Sequence, residues 1–199
     1  MRQFILRQIN IFDKYDFWVG RQWTEAVSVF SWWAGPAFVI VILANAYQPD
    51  SEFYQKAISE GIGPNLWNLL GSFGLFTFGL AVILPNHEWP SMVAEKILSN
   101  TYAMGCLTFG LLLGQWVLVL NTSSLIWWKT GLFGVTSGLL LVIVLFYNLV
   151  VWYLSFIIRN RHRMRSPLII KLQQFGVLPR VAIGGGTCML IVFLLASAK

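Results

Sequence analysis

Charge is what this chain has least of. Only 11% of its 199 residues are Asp, Glu, Lys or Arg, while 57% are hydrophobic and the mean hydropathy is +0.66. Soluble domains carry about 25% charged and about 45–50% apolar residues, so this chain has too little charge to cover a water-facing surface. That excludes an ordinary soluble fold. Histidine and cysteine are also scarce, with two of each. A haem held by two axial histidines needs both within facing spans, and zinc needs three or four clustered ligands. His87 and His162 lie in different loops, so we expect no metal and no other cofactor. Cys106 and Cys188 fall inside apolar runs, where a thiol packs as a small hydrophobe. The first apolar residues are broken up by Arg7, Asp13, Lys14, Asp16 and Arg21, which does not match a cleaved signal peptide.

What is present is long apolar sequence. A bilayer core about 30 Å thick needs roughly 20 apolar residues in a helix. Five stretches meet or approach that length, at residues 26–47, 66–84, 102–120, 132–158 and 178–198. The fourth lies within a longer run from Leu125 to Ile158, which can tilt or extend beyond the bilayer. Lys129 and Arg180 sit close enough to span ends to snorkel. The expected fold is all-α, a polytopic five-helix transmembrane bundle forming a single domain over 26–198. Residues 1–25 read as a cytoplasmic amphipathic segment, with Ile5, Ile9, Phe12 and Val19 on one face and Arg2, Lys14 and Arg21 near the headgroups. A second structured segment outside the spans is expected over Pro90 to Leu98, where Trp89-Pro90-Ser91 offers a helix start before Met92, Val93, Ile97 and Leu98.

The flanking charges fix an orientation. Arg2, Arg7, Lys14 and Arg21 precede the first span, and Arg159, Arg161, Arg163, Arg165, Lys171 and Arg180 separate or adjoin the last two. With five spans these groups share one side, which the positive-inside rule makes cytoplasmic. The connection from Gln48 to Asn65 holds one lysine beside Asp50, Glu52 and Glu60. The reading is a bacterial-type inner (plasma) membrane, N-terminus inside and C-terminus outside. Trp23, Trp67, Trp89, Trp127, Trp128 and Trp152 all fall near expected span ends, the aromatic-belt position.

Glycine carries the clearest pattern. Gly110 with Gly114, and Gly134 with Gly138, are GxxxG pairs, and small residues four apart let helix backbones approach closely. They fit either packing inside the bundle or a face for an oligomer or partner subunit. The cluster Arg159, Arg161, Arg163 and Arg165 fits anionic headgroups, at about 1 kcal/mol per basic residue, or an acidic partner. No domain surrounds it, so nucleic acid is not an expected partner. Gly35-Pro36 interrupts the first span, and a proline break can serve packing or line a cavity.

Polar residues inside the expected spans are Asn45, Asn68, Thr108, Gln115, Thr136, Asn148 and Thr187, with no ionisable group at mid-span. Proton-coupled transporters and pumps almost always carry one there. The leading expectation is a non-catalytic membrane subunit or scaffold, packing with itself or with partner subunits through its glycine-rich faces. A small-solute transporter or channel without proton coupling is the alternative, with Trp32, Trp33, Pro36, Asn68 and Gln115 as cavity lining. An intramembrane enzyme using His87 and Glu88 is the third.

Overall fold

The computed structural model describes residues 19–47, 62–122, 127–159 and 166–197. The amphipathic N-terminal stretch, except for its last residues, lies outside the described residues, as do Arg161, Arg163 and Arg165. All regular structure among the described residues is helical. A short 3-10 turn at Gly20–Gln22, entered through Gly20 at a positive φ of 52°, leads into α1 (Trp23–Tyr47). It is followed by α2 (Ile62–Ile83), α3 (Glu88–Thr122), α4 (Trp127–Ile158), α5 (Pro167–Gln174) and α6 (Val177–Ser197).

Among the described residues three helices, α1, α3 and α4, are long and apolar enough to cross a membrane, and Leu69–Ile83 and Val177–Phe193 are shorter apolar stretches. The helix start expected at Trp89-Pro90-Ser91 is present, since α3 opens at Glu88, but that helix runs on without a break through the third apolar stretch, for 35 residues in all. Nothing between Leu98 and Tyr102 breaks a helix, since Ser99, Asn100 and Thr101 are weak helix formers without being breakers. Similarly, α4 is one continuous helix of 32 residues. It is about 48 Å long at 1.5 Å per residue, well beyond the hydrocarbon core. Pro36 is accommodated inside α1, which continues through it.

The described helices form two compact units, to each of which α3 and α4 contribute a stretch. One comprises the described residues of Leu69–Asn100 and Val151–Lys199. Its core is Ala81, Val82, Ala94, Ile158, Leu168, Ile169 and Leu172, with Phe78 and Ile157 packed against them. Helix α5 is held there by its own first residues. Ser166 caps it, accepting from the Ile169 N–H at 3.3 Å while donating to the Ile157 carbonyl at 2.7 Å. Pro167 follows at the first helical position, where its missing N–H costs nothing. Leu168, Ile169 and Leu172 then share the buried face. At the helix end, Gln173 Nε2 donates to the Pro85 carbonyl at 3.1 Å.

In the same unit α2 and α6 meet through glycine. A methyl group at Gly79 would lie 2.7 Å from Cys188 Sγ and 2.9 Å from the Gly184 carbonyl oxygen; one at Gly184 would lie 2.5 Å from the Gly79 carbonyl oxygen. Each glycine is thus the space the other's backbone occupies, so no larger residue fits at either place.

The second unit comprises Gln22–Asn68 and Thr101–Val150. The buried residues of α1 are Ala26, Ala34, Ala37 and Val41, spaced to share one helical stripe. Three alanines in a row of four give that stripe a nearly flat surface.

Candidate functional site

The small residues of α1 and α3 fit each other position by position. A Cβ at Gly110 would collide with the Ala34 carbonyl oxygen and lie 2.8 Å from Ala34 Cα; one at Gly114 would lie 2.8 Å from Val41 Cβ. Backbone approaches side chain and backbone directly, which raises dispersion contact where lipid supplies no hydrophobic drive between helices. The seam is flanked by Phe30 and Phe109, ring centroids 5.5 Å apart. At one end the Tyr102 hydroxyl donates to the Ala26 carbonyl at 2.9 Å.

Helices α3 and α4 join through polar groups instead. Asn148, with no exposed surface, donates from Nδ2 to the Tyr102 carbonyl and to Cys106 Sγ, both at 3.3 Å. Its Oδ1 is buried and has no hydrogen-bond partner among the described residues. Further along, Trp116 Nε1–H donates to Ser137 Oγ at 2.9 Å. The second glycine pair lies beside these contacts but fits less tightly. Methyl groups at Gly134 and Gly138 would meet the Leu120 side chain at 3.2 Å and the Trp116 ring at 3.5 Å. All four GxxxG glycines therefore face other helices of this chain.

Beside the Trp116–Ser137 pair, residues of the two helices line a groove of about 360 Å³. Its walls are apolar apart from Gln115 and the Trp116–Ser137 pair, and its rim includes Phe133, Val119 and Leu140 on the outer surface. The Gln115 amide makes no hydrogen bond to any described residue. A second recess of about 240 Å³, beside Trp23, Phe30 and Tyr102, is almost wholly apolar.

Of the five residues read as cavity lining, Gln115 borders this groove. Trp32 is 76% exposed and Trp33 48% exposed, so both indoles lie on the outer surface of α1. Pro36 lies within α1, and the side chain of Asn68 is outside the described residues. His87 in the turn before α3 and Glu88 at its first position are exposed, with the His87 N–H bonded to the Leu84 carbonyl at 3.1 Å.

Of the basic cluster, Arg159 is described. Its Nε lies 3.4 Å from Glu95 Oε1, with about a quarter of each side chain exposed, which binds the end of α4 to the early part of α3. Lys129 sits over the Trp128 ring, 5.6 Å from its centroid, a cation–π pair at the opening turn of α4.

Sequence reasoning passed over two features. The alanine stripe of α1 is visible as Ala26, Ala34 and Ala37 at helical spacing. The capping of α5 is visible as Ser166-Pro167 before Leu168, Ile169 and Leu172. The signals existed in both cases and were short. No family model matches the chain, and no match is found among curated proteins or solved structures.

Proposed function

We propose that the chain is a five-span protein of a bacterial-type inner membrane, N-terminus cytoplasmic and C-terminus outside, acting as a non-catalytic subunit or scaffold. The lengths of α2 and α6, 22 and 21 residues, support counting them as spans. At 1.5 Å per residue each is about 32 Å long, close to the hydrocarbon thickness. The charge bias supports the orientation, with Arg159 and Lys171 on the side assigned to the cytoplasm.

One observation carries the subunit reading: the glycines of the spans fall into two sets. Gly79, Gly110, Gly114 and Gly184 are enclosed by backbone or side chains of this chain, whereas Gly35, Gly131, Gly185 and Gly186 have nothing within 4 Å, the last two being adjacent on α6. Around them Ile183, Met189, Leu190 and Phe193 are outward-facing. A small-residue patch on an apolar helix is the surface a neighbouring helix packs on. The neighbour is another membrane subunit or a second copy of this chain, while the basic segment beginning at Arg159 contacts anionic headgroups or an acidic cytoplasmic face of that partner.

Purification of the tagged chain from native membranes in mild detergent tests this reading. A partner or a second copy is expected at fixed ratio, lost in a Gly185→Leu, Gly186→Leu double variant. Recovery of a lone monomer, with no partner captured by crosslinking in cells, refutes it. A reporter fused after Lys199 is expected to be active only outside the cytoplasm, and a cytoplasmic signal refutes the five-span orientation.

A further inference from the structure

We infer that the groove between α3 and α4 is a binding site for one acyl chain of a diacyl phospholipid, whose ester carbonyl accepts a hydrogen bond from the Gln115 amide. The site stands apart from the subunit reading and requires only that α3 and α4 lie in a bilayer.

Three observations converge on that occupant. First, the groove's size, about 360 Å³, falls in the range of ligand pockets. Leu112, Leu141 and Val144 line it and Leu140 stands at its mouth, 62% exposed. It opens sideways, onto the surface that hydrocarbon covers, and an apolar chain can enter without leaving the bilayer.

Second, the groove has a single uncommitted polar group. Trp116 and Ser137 satisfy each other, and Ser137 also donates to the Phe133 carbonyl at 2.5 Å. Gln115 alone keeps donors and acceptor unused by any described residue. An amide in hydrocarbon without a partner is costly, so the occupant must bring an acceptor or donor. A pure hydrocarbon cannot.

Third, depth selects the acceptor. Gln115 precedes the end of α3 at Thr122 by seven residues, about 10 Å along the axis. Trp127, Trp128 and Lys129 open α4 at the same end of the hairpin, where indoles and a lysine sit at headgroup level. The headgroup zone is about 5–7 Å deep on each side. That leaves the amide a few ångströms below its inner edge, the level at which a glycerol ester joins its chain.

The test reconstitutes the full chain into vesicles of phosphatidylethanolamine and phosphatidylglycerol. The probe is a diester phosphatidylglycerol with a photoactivatable diazirine early in one acyl chain, compared with its diether counterpart, which has the same head and tails but no carbonyl. Labelled positions are mapped by mass spectrometry. The diester is expected to label residues of the 112–119 and 133–144 stretches above the outward face of α6, and the diether about fivefold less, the worth of one hydrogen bond. Gln115→Leu should bring the two probes level. Leu140→Trp, directed at the groove mouth, should remove labelling there and leave α6 labelling unchanged. The probe comparison on the unmodified chain decides the matter even if a variant fails to fold. Equal labelling by diester and diether, groove labelling no stronger than on α6, or a disulfide-linked dimer formed through Gln115→Cys would each overturn the proposal.

Discussion

Replacing Gly110 by alanine adds a single methyl group where the structure has no room for it. The new Cβ would overlap the Ala34 carbonyl and approach Ala34 Cα to 2.8 Å and its carbonyl carbon to 2.9 Å. These are backbone atoms of a helix, which cannot swing aside as a side-chain tip can. The helices must therefore separate or shear, and overpacking of this kind costs about 1–3 kcal/mol. Alanine recovers part of that, up to about 1 kcal/mol, through its better helix propensity. The expected net loss is about 1–2 kcal/mol. The matching control is Gly131→Ala in α4, where a methyl group meets nothing within 4 Å, leaving only the propensity gain.

Gly110→Leu goes further, because the wider separation breaks the Tyr102–Ala26 hydrogen bond and the Phe30–Phe109 contact. Those are worth about 0.6–1.7 kcal/mol and about 0.5–1.5 kcal/mol. It follows that Tyr102→Phe should cost measurably in the parent and almost nothing in the Gly110→Leu background, a coupling visible in a double-mutant cycle. Reversible unfolding in mixed micelles titrated with sodium dodecyl sulfate provides the free energies, with maleimide reactivity of the buried Cys106 as an independent probe. Equal stability of Gly110→Ala and Gly131→Ala would refute the close approach of α1 and α3.

The other expectations concern polar groups. Asn148→Leu should be neutral or stabilising, by up to about 1 kcal/mol, because it removes a buried Oδ1 that has no partner among the described residues at the cost of two long hydrogen bonds. Asn148→Ala leaves a void and should lose about 1–2 kcal/mol in the same titration. Ser166→Ala removes both the cap of α5 and its bond to Ile157. About 0.5–2 kcal/mol of local stability should go, read as faster hydrogen exchange at Ile169 and Leu172 with α3 unchanged. The Arg159–Glu95 pair is partly exposed, so a Glu95→Gln, Arg159→Gln cycle should yield only about 0.2–1 kcal/mol, shrinking at high salt.

How much of this was legible in the sequence depended on whether a feature belongs to one helix or to two. A run such as Val39 to Leu43, or Leu139 to Phe146, announces a helix in lipid because composition alone sets its solvent. The apolar centres of all six described helices except α5 were found that way. Their ends were less legible: α3 begins at Glu88, fourteen residues before its apolar run, because a helix continues from the interface into hydrocarbon unless something stops it. Ser99, Asn100 and Thr101 do not. Helix α5 was readable from Ser166-Pro167, but its eight residues are too few for the periodicity that identifies longer helices.

Pairing between helices was not legible, and Gly110 and Gln115 show why. Both lie on α3, five residues apart, and each has a local signature: a GxxxG pair for one, a lone amide in an apolar run for the other. The signature of Gly110 says that something approaches closely. It does not say that the approaching surface is Ala34, because that depends on α1 presenting Ala26, Ala34, Ala37 and Val41 on one stripe. Gln115 says that a polar group sits in an apolar run. Whether it is satisfied depends on Trp116 turning its N–H to Ser137 and so leaving the amide beside an open groove rather than against a neighbour. In water the hydrophobic effect would correlate burial with side-chain type, and the sequence would reveal the inner face. In lipid that correlation is lost, since Leu140 is outward-facing while Ala26 is enclosed, and small size and hydrogen bonding take over as the organising variables. The interior of such a protein is therefore marked by its smallest and most polar residues, and where one of them has no partner among the described residues, as at Gln115, the neighbour to look for is the solvent itself.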